Sequence, residues 1–172
     1  MAARMGISSV TRTWAAATVL LVTALSTTAS PLSGLVVGVA DGDTLTVLDS
    51  HLQQHKIRLA GIDAPEKQQP FGQRSKQSLS ALAYGRPVQI EAGKTDKYGR
   101  IVGKVFVHGV DVNREQVARG FAWHYVAYGR EQSAADRERY AAAESWARAE
   151  RRGLWSIPNP TAPWDFRKRQ RK

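Results

Sequence analysis

The chain has 172 residues, 42% hydrophobic and 23% charged, which is the balance of one globular domain with some extra chain, able to bury a core without covalent staples. It has no cysteine, which excludes disulfides, thiolate zinc sites, iron–sulfur clusters and thiol nucleophiles; its four histidines (His51, His55, His108, His124) lack the His-Glu-x-x-His spacing of a helical zinc hydrolase. Lys and Arg number 25 against 15 Asp and Glu, and the net charge of +10 points to a polyanionic partner, either nucleic acid or an anionic membrane surface.

Residues 1–29 read as an export signal. Arg4 and Arg12 are their only charged side chains, and Trp14–Leu25 is an apolar run. That run suits a signal core and falls short of the roughly 20 residues of a membrane span. The small residues Ser26 to Ser30 place the expected cleavage after Ala29, with an uncleaved anchor as the alternative. Export would put the protein in the periplasm or medium, or tether it to the membrane if the signal stays.

Gly34–Leu48 alternates β-branched and small residues around Asp41-Gly42-Asp43, a hairpin signal. His55–Ile62 alternates again as a third strand, and Pro65 ends it. Phe71–Tyr84 has helical spacing, closed by Gly85-Arg86-Pro87. Val88–Ala92 and Ile101–Val107 read as two more strands. Asn113 is expected to cap a short helix, Arg114–Arg119, ended by Gly120. Ala134–Arg152 is the longest expected helix, with Tyr140, Ala143 and Ala147 on its apolar stripe. Pro158, Pro160 and Pro163 predict that Ser156–Phe166 is extended, and the basic end from Arg167 to Lys172 reads as a solvated, disordered tail that adds non-specific attraction to nucleic acid. The expected organisation is a signal at 1–29, a domain at 30–156 and a tail at 157–172. Five short strands with a helix after the third predict an α+β, mainly β fold: a five-stranded oligonucleotide/oligosaccharide-binding (OB) barrel with about three helices.

Charge gathers where strands meet loops. The clusters are Asp41-Gly42-Asp43-Thr44; Arg58 with Asp63-x-x-Glu66; Asp96-Lys97-Tyr98-Gly99-Arg100; and the aromatic stretch Trp123-His124-Tyr125 with Tyr128. If Asp43 and Asp63 end neighbouring strands, their charges conflict, and a divalent cation resolves the conflict. All-oxygen ligation favours Ca²⁺ or Mg²⁺. Taken alone, Asp41-Gly42 is also an ordinary turn. Arg58, inside an apolar strand, and Arg100, after a tight turn, either pair with acids of their own clusters or converge on a phosphate. Ala92-Gly93-Lys94-Thr95 is not a phosphate loop, because Val88 stands where that motif needs glycine.

In order and at these spacings, the blocks from about Gly38 to Trp155 resemble the staphylococcal nuclease (thermonuclease) family. Asp41–Thr44, Ile57–Leu59, Ile62–Glu66, Thr95–Arg100, Asn113 through Ala122 and Gly153-Leu154-Trp155 carry the resemblance. It implies a Ca²⁺-dependent nuclease of DNA and RNA that leaves 3′-phosphates, acting as a monomer without an obligate protein partner, single strands being the preferred substrate. It implies metal ligation by Asp43, Asp63 and the backbone carbonyl of Ala64, a position usually held by Thr, with Asp41 and Thr44 supporting the ligand Asp43. Glu66 would orient or deprotonate the attacking water, and Arg58 and Arg100 would bind the scissile phosphate. Lys97 and Tyr98 match residues near the terminal phosphate and nucleotide. A tyrosine lining the family's base pocket falls at Val126, while Tyr128 is kept. The competing readings are an OB module that holds single strands without cutting, which a relative lacking some of Asp43, Asp63, Glu66, Arg58 and Arg100 would fit better, and a basic exported protein lying on an anionic envelope surface.

Overall fold

A computed structural model describes residues 32–171; the expected signal at 1–29 lies outside the described residues. The strands are β1 (Leu32–Val39), β2 (Thr44–Leu48), β3 (Gln54–Leu59), β4 (Ile62–Asp63), β5 (Pro87–Thr95), β6 (Ile101–Val107), β7 (Val110–Asp111) and β8 (Trp123–His124). The helices are α1 (Gly72–Ala83), α2 (Val112–Ala118), α3 (Ala134–Ala149) and α4 (Pro163–Gln170), with short 3₁₀ turns at Val126–Glu131 and Gly153–Ser156.

Antiparallel neighbours run β3-β2-β1-β5-β6, and a parallel pairing of β3 with β6 (Ile57 opposite Ile101, Leu59 opposite Gly103) closes them into a five-stranded barrel. The expected OB-type barrel is therefore observed, with β7 extending its edge beside β6. Period-two alternation puts Leu45, Val47, Ile57, Leu59, Ile90 and Val105 into the barrel interior, all almost fully buried. Irregular pairing in β1 between Val36 and Gly38, and in β5 between Ala92 and Lys94, supplies the bends that closure needs. The third expected strand is broken: β3 stops at Leu59, Gly61 takes a left-handed φ of 72°, and β4 leaves the barrel to pair with β8. That break turns Asp63 out of the barrel wall and into a cleft.

Three local expectations are corrected. Asn113 does not cap α2. Asp111 is the cap, accepting from the Arg114 N–H at 3.0 Å, and the two-residue β7 leads straight into it. Asn113, fully buried, instead donates to the carbonyls of Ala60 (3.0 Å) and Gly103 (3.1 Å) and accepts from Val105 N–H (3.1 Å), stitching the helix to the barrel seam. The extended reading of Ser156–Phe166 fails beyond Ala162, where α4 begins. Pro163 sits in the first turn, where its missing N–H removes nothing and its fixed φ suits a helix, so the proline starts the helix instead of breaking it. Nor is the described part of the basic end disordered: α4 runs to Gln170 and Arg167 is ion-paired within the domain, while Lys168 to Arg171 are solvent-exposed as expected.

A second apolar cluster explains why the end of the chain is ordered. Trp123, Ala147, Leu154, Trp155 and Ala162 pack together, with Phe71 and Trp164 against them. Trp123 meets Trp155 edge-on at 5.2 Å and Trp164 at 6.4 Å. Asn113→Ala leaves buried backbone groups at the seam without partners and is expected to lose about 3 kcal/mol of stability, measured by urea unfolding. A loss under about 1 kcal/mol, the size of an ordinary net hydrogen bond, would show that the seam does not depend on this amide.

Candidate active site

The barrel seam, the β1–β2 turn and the β4 segment converge on a cleft of about 660 Å³. Its wall includes Asp41, Asp43, Arg58, Asp63, Ala64, Glu66, Lys97, Tyr98, Arg100 and Tyr128. Every residue expected at the site therefore lines it except Thr44, which is buried beneath and donates its hydroxyl to Asp43 Oδ1 at 3.1 Å.

The Asp41–Asp43 turn is held from behind. Gln116 of α2, fully buried, donates its amide to the Gly42 carbonyl at 2.8 Å and the Ser75 carbonyl at 3.1 Å, and Ser78 donates to its oxygen. Asp41 Oδ1 accepts the Asp43 N–H at 3.1 Å, and the Asp43 carbonyl accepts Leu59 N–H at 2.8 Å. Across the cleft, Ala64 N–H donates to Asp43 Oδ2 at 2.8 Å, which brings the β1–β2 turn and the end of β4 together as the charge argument requires.

Arg58 bridges the two carboxylates. It contacts Asp43 Oδ2 at 3.3 Å and Asp63 Oδ1 at 3.2 Å, and donates to the carbonyls of Leu59 and Ile62 at 2.9 Å each. Arg100 grips Asp96 through Nε at 2.8 Å and a terminal nitrogen at 2.7 Å. Both arginines thus pair with acids of their own clusters while lining the cleft. Lys97 and Tyr98 lie at its rim, the ammonium 5.1 Å from the exposed ring.

Asp41 is pushed up to about 6 by burial and by the neighbouring Asp43 charge. Asp63, 2% exposed, is also raised; burial outweighs hydrogen bonding from Arg167, and Asp43 adds to the rise. Burial is the main cause of both rises, and the Asp43 charge adds to each. This suits a hard cation, as does the all-oxygen donor set of Asp43, Asp63 and the Ala64 carbonyl. Among the described residues no three Asp, Glu, His or Cys side chains form a cage by themselves, so such an ion would take its remaining ligands from water or substrate.

Two features were not foreseen. Arg167 of α4 enters the cleft, donating to Asp63 Oδ2 at 2.7 Å, to Asp63 Oδ1 at 3.2 Å and to Glu66 Oε1 at 2.7 Å. The signal for it was present: Trp164 and Arg167 stand three apart after a helix-starting proline, so one face carries both. The aromatic wall keeps the expected Tyr128 and adds Tyr125 from the same aromatic stretch. Val126 is 70% exposed, and Tyr125 faces the cleft, stacked on Trp164 at 5.1 Å and edge-on to Tyr128 at 4.9 Å.

The family model for the staphylococcal nuclease homologue matches residues 56–157. The chain is 39% identical over 163 residues to protein ParB of Escherichia coli, covering 90% of this chain and 89% of that one. It is 39% identical over 136 residues to an uncharacterized endonuclease of Haemophilus influenzae, covering 79% and 73%. It is 36% identical over 119 residues to a probable staphylococcal-like nuclease, CAN1, of Oryza sativa, covering 69% of this chain but 34% of that longer protein.

The tight packing behind Asp43 can be tested at Gly42. A Cβ there would fall on Ser75 Oγ and within 2.7 Å of Ala64 Cβ. Gly42→Ala is expected to lose about 2 kcal/mol by overpacking, a drop of roughly 4–8 °C in Tm for a chain of this length. Calorimetry that finds Tm unchanged would show that the turn yields freely.

Proposed function

The chain belongs to the staphylococcal nuclease family, and on that premise we propose that it hydrolyses phosphodiester bonds of DNA and RNA with little sequence specificity, using Ca²⁺ and leaving 3′-phosphates. The observation that carries this reading is the convergence of Asp43, Asp63, Glu66, Arg58 and Arg100 on one cleft from three separate stretches of chain. A module that only holds single strands has no need to bury paired carboxylates at their desolvation cost.

Asp43, Asp63 and the Ala64 carbonyl would hold the cation, whose contribution is to polarise a phosphoryl oxygen and make a bound water more acidic. Thr44 fixes the Asp43 carboxylate and Asp41 holds the Asp43 backbone N–H, through the contacts described above. Glu66, half-exposed at the cleft, accepts the proton of the attacking water, for which an ordinary carboxylate suffices once the geometry is right. Arg58 and Arg100 turn N–H donors toward the phosphate. Negative charge on the equatorial oxygens grows toward the transition state, so fixed guanidinium donors favour it over the ground state. Arg100 can do this without leaving Asp96, since that pair engages only Nε and one terminal nitrogen.

Lys97 and Tyr98 at the rim, with Tyr125 and Tyr128 opposite, offer a cation and stacking faces to flanking nucleotides. Bases must be unpaired to stack there, which favours single strands. The cleft is complete within one chain, which supports action as a monomer. The apolar run Trp14–Leu25 supports export; among the described residues no helix is long and apolar enough to cross a membrane.

Labelled single-stranded DNA incubated with the purified chain should be cut in Ca²⁺, not in chelator, and not by Asp43→Asn. Arg58→Ala and Arg100→Ala should each lower the rate by about 10²–10³, the usual loss for one preorganised donor. Products should gain a labelling site only after phosphatase removes a 3′-phosphate. Binding without cutting in Ca²⁺ or Mg²⁺ would leave the binding-module reading in place of this one.

A further inference from the structure

The base of α4 is fixed. Gln69, itself buried, donates to the Thr161 carbonyl just before the helix, and Ala162 and Trp164 belong to the second apolar cluster. Trp164 stacks on Tyr125 at an interplanar angle of 25°, and one turn further on the same face carries Arg167. The guanidinium reaches Asp63 with both terminal nitrogens and Glu66 with one of them. That is a planar fork matched to carboxylates, which a lysine could not reproduce.

We propose that Arg167 is a built-in plug of the cation site: its guanidinium and a divalent cation compete for Asp63, so that docking of one displaces the other. This rests on the reading of Asp43 and Asp63 as cation ligands. Both Asp63 oxygens accept from Arg167, and Oδ1 is shared with Arg58. Ca²⁺ needs carboxylate lone pairs at about 2.3–2.6 Å, and it would bring a double positive charge against a guanidinium already bonded to the same group. The plug sets a second guanidinium beside Arg58 on buried Asp63, and the same contact ties down Glu66, the proton acceptor of the proposed reaction. Release leaves the helix in place. The Arg167 side chain is 37% exposed and its anchors lie at the start of the helix, so the flexible stem can swing into water while the cation takes over the charge of buried Asp63. The apparent cation affinity then falls by the fraction of time the plug is out.

The test is Ca²⁺ binding by isothermal titration calorimetry, without nucleic acid, to the wild-type chain, Arg167→Ala, Arg167→Lys and Asp43→Asn. Arg167→Ala is expected to bind Ca²⁺ about tenfold more tightly than wild type, the gain if the plug is docked about nine-tenths of the time. Arg167→Lys, which keeps charge without the fork, should fall between, and Asp43→Asn should lose binding. In the wild type, Ca²⁺ should move the Arg167 side-chain Nε–H resonance, identified by its loss in Arg167→Ala, toward that of a free arginine. Equal or weaker binding by Arg167→Ala, with Asp43→Asn still defective, overturns the plug and makes Arg167 a residue that positions Asp63; the nuclease reading survives that result. If neither wild type nor Arg167→Ala binds Ca²⁺, the plug and the cation reading fall together.

Discussion

Asp43 and Asp63 are buried carboxylates drawn to the same point, and charges so placed must be matched by positive charge or lose their ionisation. Much of the surrounding structure answers that demand. Arg58 bridges the pair from inside the barrel wall, Ala64 N–H caps one oxygen of Asp43, and Thr44 donates to the other. Even so, burial and the Asp43 charge keep Asp41 and Asp63 raised. On the proposed reading, a bound cation would relieve that conflict.

The barrel makes the convergence possible. The parallel contact of β3 with β6 closes the sheet next to the point where β3 ends, and the left-handed Gly61 sends β4 away from the wall. Asp63 therefore leaves the barrel beside the β1–β2 turn, while the register of β2 with β3 sets Thr44 opposite Arg58. Behind that turn, Gln116 and Ser78 bind α1 and α2 to its backbone. The Asp43 carboxylate is thus supported by buried amide and hydroxyl groups on rigid elements, where a loop alone would leave it free to drift.

Local pattern made much of this legible. Period-two alternation located the barrel strands, and Asp41-Gly42-Asp43 marked the turn that carries Asp43 into the cleft. The clustering of charge at strand ends located Arg58, Asp63, Glu66 and Arg100, although spacing could not say whether the arginines face acids or open space. What stayed hidden depended on tertiary partners. Asn113 has the chemistry of a cap, but its amide is drawn to the carbonyls of Ala60 and Gly103, which are distant in sequence. Pro163 has the chemistry of a breaker, and only its place in the first turn of α4 makes it an initiator. Arg167 belongs to a run of basic residues that resembles a solvated end; its spacing from Trp164 gives the two one helix face, but not the cleft that this face meets.

The second apolar cluster gives the ordered C-terminus a physical logic. A single helix of this length, Pro163–Gln170, with three basic residues in its last turn, would not hold together in water. Trp123, Trp155 and Ala162 provide the surface it needs, and Trp123 itself sits on β8, directly opposite Asp63 in the β4–β8 pairing. The packing that orders α4 and the pairing that positions Asp63 therefore share one residue. Loosening the cluster would free the helix and disturb the carboxylate together, because one contiguous set of contacts holds both.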